Sequence, residues 1–404
     1  MKKLLPLSCL TASSLSAIDI QIDYSFDSNN FFNTAERRTA IEAVADFYGN
    51  ILQDNLLRID SSEFSNSTWV PLLTNPTTGE LTTLDDIVIP EDTIIIYVGS
   101  RQFNGNTSGT GGPNGFASGT SGTTAWIDRL LGRGQAGAEA RDRANRTDIG
   151  IWGGSISFDS DSIWNFSLQE NNPGIEFIRV ALHEIAHVLG IGSSAPWDNL
   201  VIDQTFTGPI TTFANGSPPS ADTAHFTGTL NSPLYGSFGT THGEQRPALM
   251  LPISTDTGNN FDVITDIDLA ALADLGWEVI LPLEWNILSL IPQDVRFSWP
   301  SNSIFDYQVI RTSDLQTQTG GSPLLNGNGL ILNWTDPSPP SPSAFYQLAA
   351  SFKTPAPNNL LAPDPLKTPP ATSASKLQTK QKEQMESIEI IPQLVTNCTC
   401  EHQD

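Results

Sequence analysis

No stretch constrains this chain more than 171–193, which reads Asn-Asn-Pro-Gly-Ile-Glu-Phe-Ile-Arg-Val-Ala-Leu-His-Glu-Ile-Ala-His-Val-Leu-Gly-Ile-Gly-Ser. Asn172 suits a helix N-cap and Pro173 its first turn. Apolar residues recur at helical spacing from Ile175, and Gly190 stands where a left-handed C-terminal cap falls. The spacing predicts one buried helix of about five turns. On that helix His183 and His187 are four apart, so both imidazoles project from one face and can converge on a single cation, with Glu184 beside the first. Neutral imidazole nitrogens hold Zn²⁺ and a neighbouring carboxylate can take the proton of an attacking water, so the pattern points to metal-assisted hydrolysis. Two core histidines bonded to backbone carbonyls are the plainer reading of the same spacing; the helix signals on both sides of the motif favour zinc.

Composition narrows the setting. A chain of 404 residues with 38% hydrophobic content has room for a real core and more than one domain. Its 44 acidic against 20 basic residues give a net charge of −24, which repels nucleic acid and anionic lipid. No run after the N-terminus is long and apolar enough to span a membrane. Residues 1–17 carry Lys2, Lys3, the apolar run Leu4 to Leu10 and a small-residue end at Ser16-Ala17, the pattern of a signal peptide for a secreted or periplasmic protein. Cys9 lies in that segment and Cys398 and Cys400 near the C-terminus, so the body between them contains neither a disulfide nor a thiolate site.

From Ile18 the alternation Ile18-Asp19-Ile20-Gln21-Ile22 reads as a half-buried strand, followed by a helix capped by Thr34 and running to about Leu56. Ile87 to Ile89 and Thr93 to Val98 are short apolar runs, the second β-branched enough for an interior strand. The Gly-, Asn-, Ser- and Thr-rich stretch from Gly99 to Gly122 reads as a surface loop. Ile149 to Phe158 reads as a further strand, either an ordinary sheet member or an exposed edge on which an extended peptide could lie. Thr265 caps a helix to Leu275, with Asp268 three residues on and Gly276 beyond its end.

His183-Glu184-Ile185-Ala186-His187-Val188-Leu189-Gly190 resembles the active-site helix of the zincin metallopeptidases, and Gly190 is similar to the glycine of the metzincin clan. In most metzincins a third His or Asp ligand follows at the position held here by Ser193, and serine is a poor zinc ligand. The chain therefore looks more like the leishmanolysin-like and related bacterial exported peptidases, in which the third histidine follows an insertion. His225, in Ala221-Asp222-Thr223-Ala224-His225-Phe226, is similar to that segment, with His242 as runner-up. Ala248-Leu249-Met250-Leu251-Pro252 resembles the clan's Met-turn, although Met250 suits a plain core position as well.

Beyond Val279, strands around Val295 to Trp299, Phe305 to Thr312, Leu330 to Trp334 and Ala344 to Leu348, with Trp299, Tyr307, Trp334 and Tyr346 as core candidates, suggest a small β module. The rest is rich in Pro, Thr, Ser, Lys and Gln, a composition of disorder. The expectation is an α+β protein. Its parts are a signal peptide at 1–17, a zincin-like catalytic domain at 18–280 with a mixed sheet and the active-site helix, a small all-β module at 281–350 and a disordered tail at 351–404. The resemblance implies a zinc endopeptidase acting on protein or peptide, with His183, His187 and His225 as metal ligands and Glu184 as general base. A secreted binding protein that keeps the scaffold without turnover is the alternative, and the oligomeric state is open.

Overall fold

A computed structural model describes residues 18–353 apart from 105–106, 167–173, 234–244, 253–263, 280–285, 292–293, 302–304, 313–317, 329 and 339–344. The expected signal peptide, the caps Asn172 and Pro173, the runner-up His242 and the tail from 354 onward lie outside the described residues.

The site rests on a four-stranded mixed sheet. Strand β1 (Asp19–Asp23) runs parallel to β2 (Thr93–Arg101), β2 runs parallel to β4 (Gly153–Asp159), and β4 pairs antiparallel with β3 (Gly109–Pro113), giving the order β1-β2-β4-β3. The Ile-rich β2 is interior, as its β-branched run predicts. Of the two readings of Ile149 to Phe158, the ordinary sheet strand is the one found, enclosed by β2 and β3. One expectation is corrected: part of the expected surface loop from Gly99 to Gly122 is itself a strand, β3, at the sheet's edge. Its sequence Gly-Thr-Gly-Gly-Pro has the lowest strand propensity in the sheet, so composition hid it; the close approach of a helix, described below, is what selects glycine there.

Helix α1 (Ala35–Ile51) starts where expected, with the Thr34 side chain accepting a hydrogen bond from the Arg37 amide. It ends five residues before Leu56, because the Leu52 backbone is already extended and forms a bridge with Val279. Its inner face buries Ile41, Val44, Ala45, Tyr48 and Ile51. Tyr48 donates its hydroxyl to the Leu182 carbonyl (2.9 Å), which fixes α1 against the central helix.

That helix, α3, spans Phe177–Val188, shorter than the predicted five turns; α2 (Thr124–Gly132) precedes it. The residues before it do not join the helix: Gly174 adopts φ 119°, Ile175 donates its amide to the Ile163 carbonyl, and Ile175–Glu176 pair in parallel with Trp164–Asn165. At the other end Gly190 has φ 109°, its amide reaches the His187 carbonyl and that of Ile191 reaches the Ala186 carbonyl, the paired bonds of a Schellman cap. Eleven of the twelve α3 residues are buried, Arg179 excepted, so the helix is an interior rod.

The closing helix α4 (Asp266–Asp274) matches its predicted caps. The buried Asp268 carboxylate accepts from the amides of Thr265 (2.9 Å), Leu249 (2.9 Å) and Met250 (3.0 Å) and from the Thr265 hydroxyl (2.6 Å). Trp277, just past Gly276, donates its indole N–H to the Leu189 carbonyl (2.7 Å) at the C-terminus of α3. Further along, Asn286–Ile291, Asp294–Pro300 and Ile331–Asp336 form one antiparallel sheet, and Phe305–Thr312 pairs with Gln318–Gly321, Leu325–Asn326 and Phe345–Phe352 in another. Trp299 and Tyr307 are buried, while Trp334 and Tyr346 are partly buried. The last strand continues to Phe352, two residues into the segment expected to be tail.

Asp268→Ala removes the common acceptor of four buried donors. It is expected to lower the unfolding free energy by about 3 kcal/mol, read by urea denaturation at fixed pH.

Candidate metal centre

The His-Glu-x-x-His spacing puts His183 and His187 on the face of α3 that looks toward the chain segment carrying His225. His225 Nε2 lies 3.2 Å from the Nε2 of His183 and 3.2 Å from that of His187. Each helix imidazole uses its other nitrogen on the backbone: His183 Nδ1 contacts the Leu249 carbonyl at 2.9 Å and His187 Nδ1 the Ile191 carbonyl at 2.7 Å. A carbonyl only accepts, so Nδ1 carries the proton in both rings and each Nε2 presents a lone pair toward His225. Converging lone pairs repel unless an electrophile lies between them. A zinc ion with Zn–N bonds of about 2.0–2.1 Å in tetrahedral geometry separates its nitrogen ligands by about 3.3 Å, close to the spacing found here.

Electrostatics agree with the geometry. Burial, then the neighbouring His187 and His225, holds the His183 imidazole well below its ordinary value. Burial pushes His187 down to about 4 and lowers His225 as well. All three rings are therefore neutral at pH 7, the form that binds a cation. Among the described residues, no other group of three or more His, Cys, Asp or Glu brings its ligand atoms together in this way.

Glu184 lies in the same cleft but makes no part of the triad. Burial pushes its carboxyl up to about 8, opposed by the Gly111 amide, which hydrogen-bonds it. Its Oε2 is buried and has no hydrogen-bond partner among the described residues, an acceptor left for a water or an incoming N–H. Strand β3 is what brings the Gly111 amide within reach. A Cβ on Gly111 would lie 2.4 Å from the Glu184 carbonyl oxygen and one on Gly109 would lie 3.1 Å from Oε1, so the strand approaches α3 as closely as backbone permits.

His225 is held by its own short turn. Asp222 Oδ1 accepts from the amides of Ala224 and His225, both at 2.7 Å, and the Asp222 carbonyl accepts the Trp197 indole N–H at 3.1 Å. The turn packs on Gly192, whose φ of 68° favours glycine and where a Cβ would meet the Ala224 carbonyl oxygen at 1.8 Å. Ser193 takes no part in the triad; its hydroxyl donates to the His187 carbonyl and helps close the helix. Met250 is fully buried, next to the Leu249 whose carbonyl orients His183. The helix motif itself identifies His183, His187 and Glu184. Gly109, Gly111, Gly192 and Asp222 escaped it, although the Gly-Ile-Gly run after the helix signals the tight turn at Gly192.

Residues 132–213 match the family model of the matrixins, a metzincin peptidase family. The matched span holds α3 with its His-Glu-x-x-His and Gly190 and ends before His225. No curated protein and no solved structure matches the chain. Together the match and the His triad support a zinc-dependent metallopeptidase, a hydrolase that acts on peptide or protein.

Gly192→Ala pushes the His225 turn off the helix end. Zinc affinity, measured by competition with a chromogenic chelator, is expected to fall about tenfold or more, because outer contacts that orient ligands carry effects of that size.

Proposed function

We propose that this chain is an exported zinc endopeptidase of the metzincin type in which the third ligand arrives late, as in the leishmanolysin-like peptidases. His183, His187 and His225 hold the ion and Glu184 is the general base. The observation that carries the reading is the meeting of three neutral imidazoles, with His225 Nε2 at 3.2 Å from the Nε2 of both His183 and His187 and the second nitrogen of those two committed to a backbone carbonyl. The departure of Ser193 from the short-spaced pattern and the distance from His187 to His225 in sequence favour the late-ligand type. Met250, in the turn that orients His183, is read as the Met-turn methionine. The segment 1–17 is read as directing export to the periplasm or medium, residues 18–280 as the catalytic unit and 281–350 as an accessory β module.

Bound at this triad, zinc supplies Lewis acidity that acidifies water toward a pKa of about 7 and polarises a carbonyl. The chain's own residues do the rest. A peptide adds to the outer edge of β3, where Glu184 already takes the Gly111 amide and Pro113 has no N–H, chiefly by donating its own amides to the strand's carbonyls, which holds its backbone extended across the mouth of a cleft of about 440 Å³ lined by Gly109 to Gly111 and the three histidines. Glu184, the buried carboxylate with one uncommitted oxygen, accepts the attacking water's proton and returns it to the departing amine. With an ion held at the triad, the Glu184 carboxyl would be drawn back to the ionised form that this step requires. The Gly111 amide, by hydrogen-bonding the carboxylate, favours its ionised form and fixes its position beside β3.

Two measurements test this reading. Glu184→Gln is expected to retain one equivalent of zinc and lose about 10²–10⁴-fold in kcat on an unfolded protein substrate; turnover unaffected by the change would remove the mechanism and favour a scaffold used only for binding. His225→Ala is expected to weaken zinc binding by two orders of magnitude or more, as loss of one of three ligands requires, whereas His242→Ala should change it by less than about twofold.

A further inference from the structure

The metal-site cleft does not end at the triad. A second cavity, of about 340 Å³, meets it at Ser193 and is lined from the opposite end of β3, by Pro113 and the following Asn114, Gly115 and Phe116. Gly109 and Gly111 bound the first cavity and Pro113 the second, so the two succeed one another along a strand whose outer edge no described strand covers. The second cavity differs in charge from the rest of the molecule. Arg143 and Arg146 both line it in a chain of net charge −24.

The two arginines are placed differently. Arg143 is exposed and pairs with Asp198 at 3.0 Å. Arg146 is half-buried; its Nε donates to the Ala140 carbonyl at 2.8 Å, and its guanidinium has no carboxylate partner among the described residues. Burial, then the nearby Arg143 and Arg141, pushes it below the ordinary guanidinium value. Asp148 also borders the cavity, but its Oδ1 accepts the Ile149 amide and faces Gly276, where a Cβ would meet it at 2.3 Å. A partly desolvated guanidinium left without a counter-ion, with two like charges beside it, is an unfavourable arrangement that an incoming carboxylate relieves.

We propose that this second cavity is the part of the substrate cleft that selects an acidic side chain, with Arg146, seconded by Arg143, receiving the carboxylate. The proposal rests on the endopeptidase reading above. A peptide pairing antiparallel with the outer edge of β3 runs from the Pro113 end toward Gly109. The selected Asp or Glu therefore lies on the N-terminal side of the scissile bond, about three to four residues from it at about 3.3 Å per residue. Acidic stretches of unfolded protein are the substrate class this predicts.

The test uses the full zinc-loaded chain and pairs of fluorogenic peptides differing only in Glu or Gln at one of the five positions before a bond that the enzyme cuts in an unfolded protein. At one position the wild type is expected to prefer Glu by about tenfold in kcat/KM, a preference that shrinks with added salt. In Arg146→Gln the Glu-to-Gln ratio falls to about one, and in Arg143→Gln it falls partway. The ratio is taken within one preparation, so partial unfolding of a variant does not alter it. A wild-type ratio near one at all five positions, or a preference that survives in the Arg143→Gln/Arg146→Gln double variant, overturns the proposal. If the enzyme cuts no bond in the unfolded protein, so that no such peptide can be chosen, the endopeptidase reading fails by itself. The cavity is then judged by fluorescence anisotropy of labelled Glu and Gln peptides on Glu184→Gln. Tighter binding of the Glu peptide, abolished by adding Arg146→Gln, upholds acidic selection, and equal binding of the two peptides overturns it.

Discussion

Everything at the centre of this molecule depends on two hydrogen bonds from imidazole to backbone. His183 and His187 each give Nδ1–H to a carbonyl, of Leu249 and of Ile191, and by doing so settle which nitrogen is left to bind. Neither carbonyl is local chance. Ile191 sits where it does because Gly190 reverses the chain in a Schellman cap, and Leu249 because Asp268, at the start of α4, gathers the amides of the turn that carries it. The helix caps thus do more than end helices: one positions a ligand's partner from within α3, the other from a helix more than sixty residues downstream, at Asp266–Asp274.

A second constraint is the approach of β3 to α3. Side chains on the facing positions of that strand would strike the Glu184 backbone and carboxylate, so the edge is built of residues with almost no strand preference and is held in place by its pairing to β4 and by contact with the helix. The backbone amide of Gly111 reaches the buried carboxylate as a result. Tertiary contact overrides local propensity here, and it does so at the place where a substrate backbone would lie.

How legible this was varied with the range of the forces involved. Local patterns were readable: Thr34 and Thr265 as caps, the β-branched run in β2, the four-residue spacing of His183 and His187, the glycines at 190 and 276. Non-local requirements were not. The glycine run of β3 looks like a loop until the helix that crosses it is known, and the strand within Ile149 to Phe158 looks equally suited to an edge or an interior until β3 is found beside it. The apolar spacing carries α3 back to Ile175, whereas the pairing of Ile175–Glu176 with Trp164–Asn165 competes with helix formation there, and nothing in that spacing reports the competition. His225 was found through resemblance, and the match to the matrixins, which stops at residue 213, leaves the same residue uncovered.

The seat of the His225 turn on Gly192 has an architectural consequence. The turn is pinned by backbone touching backbone just past the helix end, by its own Asp222, and by the Trp197 indole on the Asp222 carbonyl. The intervening chain, including the helices Ala195–Leu200 and Pro209–Asn215, leaves and returns as an excursion with nearly coincident feet. Trp197, in the first of those helices, reaches back to the Asp222 carbonyl, so the excursion braces the very turn it ends in and couples the rim of the cleft to the position of the ligand.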